Sequence, residues 1–258
     1  MAARALITGA TGLIGVHLIE QWSDHDLKPV VVDHRSDDLL ERGVPARLVD
    51  RVQPSVVIHL AWSASGTPGY RTSDLNNQWL DASNELAEAC QRTGARLIAT
   101  GTILDSVSRQ GDAYATAKYR LRESLTPMVA DGQATWVRPY YVFDPARKRP
   151  TVVADAMEAL STGTAVSLRS PESAHDFIHA ADVARAILVV AQHELHDVIP
   201  IGSGTSRKVR ELVAALGVEW RAEPSSAPET HDHEIADTTV LRKHGWTPSA
   251  TDLVFHGG

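Results

Sequence analysis

A single cysteine, Cys90, occurs in 258 residues, so neither an intrachain disulfide nor a cysteine-built zinc site can form. Cys90 lies in the helical pattern Leu86–Ala87–Glu88–Ala89–Cys90 and reads as a buried, inert thiol. Long apolar runs are missing too. None approaches the roughly 20 residues of a membrane helix, and the N-terminus enters the short strand Ala5–Leu6–Ile7–Thr8 without the apolar core or cleavage site of a secretory signal. With reduced thiol usage, this points to a cytoplasmic location and no membrane partner. No run of one charge sign occurs, and the net charge of −7 argues against a nucleic-acid or anionic-membrane surface. His231–Asp232–His233–Glu234 is a polar tail segment without a second ligand cluster. It reads as a solvated loop, and no metal is expected.

What is present is an alternation of short β-rich runs with longer helical ones, the pattern of an α/β protein with a Rossmann-type doubly wound parallel sheet. Strands are expected at Arg4–Thr8, Pro29–Asp33, Ser55–Leu60, Arg96–Thr100 and Ala134–Arg138, several of them near-continuous Val/Ile/Leu runs. Helices are expected at Gly12–Trp22, Asn77–Thr93, Asp112–Val129, Thr151–Thr162 and Ala180–Gln192. The basic, proline-bounded stretch Asp144–Pro150 marks a crossing into a small C-terminal substrate-binding lobe. Residues 1–145 then form the dinucleotide-binding domain, with 176–200 packing back onto it, and 146–175 plus 201–258 form the lobe.

The segment Thr8–Gly9–Ala10–Thr11–Gly12–Leu13–Ile14–Gly15 sits where the first strand meets the first helix. One glycine must turn sharply, one must admit a pyrophosphate to the backbone, and one must let helix and strand pack closely. The helix N-terminus offers N–H groups and a positive dipole end to phosphates. Asp33 ends the second strand at a spacing suited to a ribose-binding acid. It would repel a 2′-phosphate and favours NAD, whereas Arg35 could instead hold that phosphate and favour NADP.

Tyr114–Ala115–Thr116–Ala117–Lys118 places tyrosine and lysine one turn apart on one helix face. The pair alone is unspecific. It gains weight beside Thr100–Gly101–Thr102, because ligands of such sheets gather at the carboxyl ends of strands. Exchange between C–OH and C=O needs a group that trades a proton with that oxygen, and a tyrosine with its ordinary pKa near 10 is a poor base. A nearby ammonium and a positive nicotinamide ring would favour its phenolate, and the Thr102 hydroxyl would fix the substrate oxygen.

These motifs make the chain resemble the extended short-chain dehydrogenase/reductase family, specifically its NAD-dependent epimerase/dehydratase branch. The glycine loop matches T-G-x-x-G-x-x-G, Ile58–His59–Leu60–Ala61 the strand-end segment beside the cofactor, and Asn77 the structural asparagine that opens a helix. Arg138–Pro145 is similar to R-P-x-x-V-Y-G-P, Asp176–Ala184 to D-F-I-H-V-D-D-V-A, and Ile201–Gly204 and Gly245–Pro248 to the marks of the C-terminal lobe. The resemblance implies catalysis by Thr102, Tyr114 and Lys118. It implies cofactor contacts at Gly9, Thr11, Gly12, Leu13, Ile14, Gly15, Asp33, Arg35, Leu60, Ala61, Trp62, Asn77 and Tyr141, besides Tyr114 and Lys118. Substrate contacts are expected at Thr102, Tyr140, Arg149 and His175.

The implied activity is hydroxyl/ketone interconversion on a sugar, foremost as a nucleotide-linked keto-deoxysugar 4-reductase. The rivals are a 4-epimerase and a non-catalytic dinucleotide sensor. Relatives also pair two helices into a homodimer, here Asn77–Thr93 and Asp112–Val129, with Trp79, Leu80, Ala87, Ala113, Ala117 and Leu121 as the residues for a second apolar face. Three departures stand out. The stretch from Asp33 to Ser55 is too short for the usual third strand, which puts Asp50 on a helix. His175 replaces an arginine that reaches the nucleotide phosphates. Ile103 and Leu104 replace the Asp–Glu pair of the dehydratases.

Overall fold

Strands that are apolar on both faces must be covered on both, and this requirement sets the architecture. The computed structural model describes residues 3–22, 27–64, 67–106, 110–147, 151–223 and 235–249. The chain runs β1 (Arg4–Thr8), α1 (Gly15–Glu20), β2 (Lys28–Val31), α2 (Val44–Val52), β3 (Val56–His59), α3 (Leu75–Thr93) and β4 (Arg96–Thr100). A 3₁₀ turn at Ile103–Ser106 leads to α4 (Ala113–Ala130), β5 (Ala134–Pro139) and β6 (Tyr141–Phe143). Then follow α5 (Val152–Thr162), β7 (Val166–Leu168), β8 (Ala174–His175), β9 (Phe177–His179), α6 (Ala180–Gln192) and β10 (Asp197–Ile201). The last elements are β11 (Arg207–Lys208), α7 (Val209–Ala215), β12 (Trp220–Ala222) and α8 (Thr239–Lys243).

Six strands form one sheet in the order β10-β5-β4-β3-β1-β2, and every pairing in it is parallel. Side chains alternate between its faces. Ala5, Ile7, Ile58 and Ile98 point to one core with Leu18 of α1 and Val183, Ile187 and Val190 of α6. Leu6, Val57, Leu97 and Trp136 point to the other, with Leu48 of α2, Leu86 and Cys90 of α3, and Leu121 and Leu125 of α4. Cys90 is buried, and desolvation pushes its thiol up to about 12, as suits an inert packing residue.

The chain passes from β2 through α2 to β3 with no strand beyond β2 in the sheet. Asp50 sits on α2 and pairs with Arg92 of α3 at 2.8 Å. Of the residues proposed for a partner-facing stripe, Ala87, Ala117 and Leu121 are buried within the chain, while Trp79, Leu80 and Ala113 are partly exposed. Helices α3 and α4 pack on each other, and Ser124 Oγ lies 2.7 Å from Asn84 Oδ1 across that contact.

The lobe has its own core, in which Val153, Ala156 and Ala159 of α5 meet Leu212 and Val213 of α7. Residues 235–249 do not belong to it, contrary to the expected boundary. Leu241 and Trp246 pack into the core under the sheet, and the Trp246 indole donates to the Asp182 carbonyl at 3.1 Å. The reason is Asp176, fully buried, whose carboxylate accepts from the backbone N–H groups of Ser203, Gly204 and Ala236 and so ties the tail to the strand end. A Cβ on Gly202 would stand 2.5 Å from that carboxylate, which is why glycine occupies the turn.

His59 closes β3 in the interior. Its Nδ1 lies 2.8 Å from Thr8 Oγ1 and its Nε2 2.9 Å from Ser83 Oγ. Burial, and secondarily the charge of Lys118, pull its pKa down to about 3. The unfolded chain binds this proton below its ordinary pKa near 6.5 and the folded chain does not, so stability is lost as pH falls from about 6.5 toward 3. Urea unfolding across that window should therefore show a contribution of up to about 1.4 kcal/mol per pH unit that His59→Gln removes. Equal slopes in the two proteins would contradict it.

Candidate active site

Parallel strands deliver their carboxyl ends to one edge of the sheet, and a cavity of about 350 Å³ opens there. Its wall includes Gly9, Gly12, Leu13, Ile14 and Gly15 from the β1–α1 loop, Leu60 and Trp62 after β3, and Thr102 after β4. Tyr114 and Lys118 of α4 join them, with Tyr140 and Tyr141 after β5. The glycines are there for want of space. A Cβ on Gly9 would stand 2.6 Å from the Ala61 nitrogen, and one on Gly15 would stand 2.2 Å from the Gly9 carbonyl oxygen. Gly9 also holds φ +73°, in the left-handed region. The loop is thus a bare-backbone cradle at the head of a helix, and Thr100 Oγ1, buried on the same wall, has no hydrogen-bond partner in the protein. Bare backbone, a helix start and an unsatisfied hydroxyl fit a dinucleotide.

Tyr114 begins α4 because Asp112 caps the helix, its carboxylate accepting from the Ala115 N–H at 2.9 Å. Burial pushes the Tyr114 phenol above its ordinary range, and the hydrogen bond with the Thr102 side chain works against that rise. The Tyr114 ring meets the edges of Tyr70 and Trp62, with centroids at 5.2 and 6.3 Å. Lys118, one turn on, donates to the Thr100 carbonyl at 2.7 Å. Burial brings its pKa down to about 7, opposed by the nearby charge of Asp105.

Asp105 is the anchor of the Thr102 loop and carried no signal in the sequence. Fully buried, it accepts from the Thr102 N–H and the Trp136 indole, each at 2.9 Å, and pairs with Arg138 at 2.7 Å and Arg122 at 3.5 Å. A Cβ on Gly101 would stand 2.4 Å from its carboxylate, so only glycine leaves room for the bridge.

Several sequence-derived site residues stand elsewhere. Asn77 is exposed, and the buried asparagine is its neighbour Asn76, whose Oδ1 accepts from the Trp62 indole at 2.9 Å. The helix begins at Leu75, and this start turns the second asparagine of the pair outward. His175 does not line the cavity. It is buried in β8, which pairs with β11, and its ring stacks on Tyr141 at 4.0 Å. Asp33 and Arg35 are exposed beyond β2, outside the cavity, where the Asp33 carboxylate accepts from the Arg35 N–H at 3.0 Å. Thr11 and Ala61 flank the cradle without lining the cavity. Arg149 and His231–Glu234 lie outside the described residues. Conversely, Tyr70, Arg71, Ile103, Leu104, Val152 and Phe177 line the cavity. Of these, Phe177 stands in the D-F-I-H segment and Ile103 and Leu104 at the positions of the dehydratase Asp–Glu pair, whereas Tyr70, Arg71 and Val152 stood in no recognisable motif. Among the described residues no helix is long and apolar enough to cross a membrane.

The family model described as the NAD dependent epimerase/dehydratase family matches residues 5–202. A search of curated proteins finds no match. Among solved structures, a UDP-glucose 4-epimerase from Thermus thermophilus in complex with NAD superposes with a TM-score of 0.75 at 22% identity, covering 95% of this chain and 94% of that one. One from Thermotoga maritima with UDP-glucose gives 0.77 at 21% identity, covering 97% and 96%. A dTDP-4-dehydrorhamnose reductase from Clostridium acetobutylicum gives 0.75 at 15% identity, covering 95% and 94%.

Replacing Asp105 by alanine should leave Arg138 as an uncompensated charge and release the Thr102 loop, while Arg122 keeps its pairing with Glu123 at 3.0 Å. We expect a loss of about 3–5 kcal/mol in denaturant-induced unfolding. A loss below about 1 kcal/mol would show that the bridge does not hold the loop.

Proposed function

The chain belongs to the NAD dependent epimerase/dehydratase family, and from that premise we propose that it is an NAD(P)-dependent oxidoreductase interconverting a hydroxyl and a ketone on a sugar. The foremost reading is a nucleotide-linked keto-deoxysugar 4-reductase. The observation that carries the oxidoreductase reading is the convergence of the glycine cradle, Thr102, Tyr114 and Lys118 on one cavity. A dinucleotide sensor would need the cradle and not the other three.

When bound, the nicotinamide supplies hydride exchange with the substrate carbon. The protein's own groups handle the proton. Thr102, held by Asp105, presents its hydroxyl to Tyr114 and to the substrate oxygen. In the direction of reduction the Tyr114 phenol gives its proton to that oxygen, and in the direction of oxidation its phenolate takes one. Lys118, one turn along the helix, is the group that would favour the ionised form of Tyr114 when the pair reacts. Ile103 and Leu104 stand in the cavity where a dehydratase needs groups that move protons at carbon, which supports chemistry confined to the oxygen-bearing carbon.

A 4-epimerase is the second reading, supported by the likeness to two UDP-glucose 4-epimerases. It uses the same residues, but its dinucleotide is regenerated within each turnover. Mass spectrometry of the purified protein separates the two: tightly held NAD without turnover of added cofactor supports the epimerase, and ready exchange supports the reductase.

Tyr114→Phe keeps the ring packing and removes the proton-transfer oxygen. Turnover should fall by about 10²-fold or more with dinucleotide affinity preserved, and near-wild-type turnover would exclude this mechanism. Asp33, two residues beyond β2, would accept from the adenosine ribose hydroxyls. NAD should bind more tightly than NADP, and Asp33→Ala should narrow the gap in fluorescence titrations. Tighter NADP binding by the unaltered protein would transfer the role to Arg35.

A further inference from the structure

We propose that Trp62 is a positioning residue for Lys118, its indole face holding the lysine ammonium in place where β3 and β4 end. Lys118 is 4% exposed. Its Nζ lies 3.7 Å from the centroid of the Trp62 ring while donating to the Thr100 carbonyl. An indole face carries the negative lobe of an aromatic quadrupole, and its attraction for a cation is strongest when water is kept away. The ammonium is thus held between a carbonyl dipole and a π-face.

The indole is itself fixed before the lysine reaches it. Its N–H donates to Asn76 Oδ1 at 2.9 Å, and the Asn76 amide donates to the carbonyls of Tyr70 and Ser73 at 2.6 and 2.9 Å. Trp79 stacks at 6.1 Å with an interplanar angle of 27°, and its own N–H donates to Ser63 Oγ. Trp62 also meets Tyr114 edge to face, so one side chain touches both members of the tyrosine–lysine pair.

Among the described residues, Asp105 of the turn after β4 and His59 of β3 act on the ammonium, and Tyr114 stands one turn before it on α4. His59 is held neutral by burial, and the Asp105 charge is shared with Arg138 and Arg122. Trp62 therefore supplements a carboxylate whose field is already spent on two guanidinium groups. Desolvation lowers the lysine's proton affinity, and the π-face opposes that loss.

This inference rests on the reading of Tyr114 and Lys118 as the reacting pair, but its test is made on the lysine. The sequence has five lysines, so a lysine-labelled full-length protein gives a simple carbon–proton spectrum, and Lys118→Met assigns the resonance. In the unaltered protein the Lys118 ε-methylene protons should be shifted upfield by the indole ring current. Trp62→Leu keeps an apolar cover over the ammonium and removes the quadrupole, so the titration midpoint of Lys118 should fall by about one pH unit. Trp62→Phe should fall between the two. A Trp62→Leu midpoint at or above that of the unaltered protein would overturn the proposal. Should the leucine variant not fold, the ring-current shift decides: ε-methylene protons at their unstructured position in the unaltered protein would overturn it as surely. Absence of turnover in all these proteins with the expected midpoint shift intact would refute the enzymatic reading and leave the role of Trp62 standing.

Discussion

The cavity end of the sheet is organised around one costly requirement, the burial of the Lys118 ammonium. An amine removed from water loses its hydration and tends to lose its proton. The surroundings answer with groups that favour charge without adding a second mobile ion: the Thr100 carbonyl, the Trp62 face and the more distant Asp105. Each of these has its own support. Thr100 ends a central strand, Trp62 is locked by Asn76, and Asp105 is paired with Arg138 and Arg122. Neutral His59, bonded at both ring nitrogens, keeps a further positive charge out of the same region.

Asp105 and Asp176 illustrate a shared device. Each is a fully buried carboxylate placed where an irregular segment leaves the sheet; Asp105 accepts from the Thr102 N–H of that segment, and Asp176 from those of Ser203, Gly204 and Ala236. Each also requires a glycine, Gly101 or Gly202, because a Cβ would occupy the space of the carboxylate. A buried charge with its lone pairs satisfied in this way converts a loop into a rigid support. One of them holds the Thr102 loop, and the other returns the C-terminal segment to the sheet.

The two sides of the cavity differ accordingly. The side built by the β1–α1 loop and the end of β3 presents Gly9, Gly12 and Gly15 beside Leu13, Ile14, Leu60 and Trp62. The opposite side, with Ile103, Leu104, Val142, Val152 and Phe177, is largely apolar and adds Arg71, whose guanidinium pairs with Asp112 at 3.1 Å. Arg71 also receives the Tyr114 N–H at its carbonyl, which joins the loop before α3 to the start of α4. This apolar wall thus draws on the Rossmann layer as well as the lobe.

The sequence by itself determined the sheet. β1 and β4 begin and end where their apolar runs do, because a strand buried on both faces has no freedom to shift without exposing those side chains. It also determined the glycine cradle and the Tyr114–Lys118 spacing, since both are local: close backbone approach permits one residue type, and one helical turn separates i from i+4. What it could not determine were partners brought together across the chain. Asn76 rather than Asn77 faces Trp62 because the helix begins at Leu75, a choice of rotation that adjacent identical residues cannot reveal. Asp105, Arg71 and the use of His175 as a stacking partner of Tyr141 carry no local pattern. Their roles arise only when strands far apart in sequence end at the same edge of one sheet, because burial and charge pairing depend on three-dimensional neighbours and not on spacing along the chain.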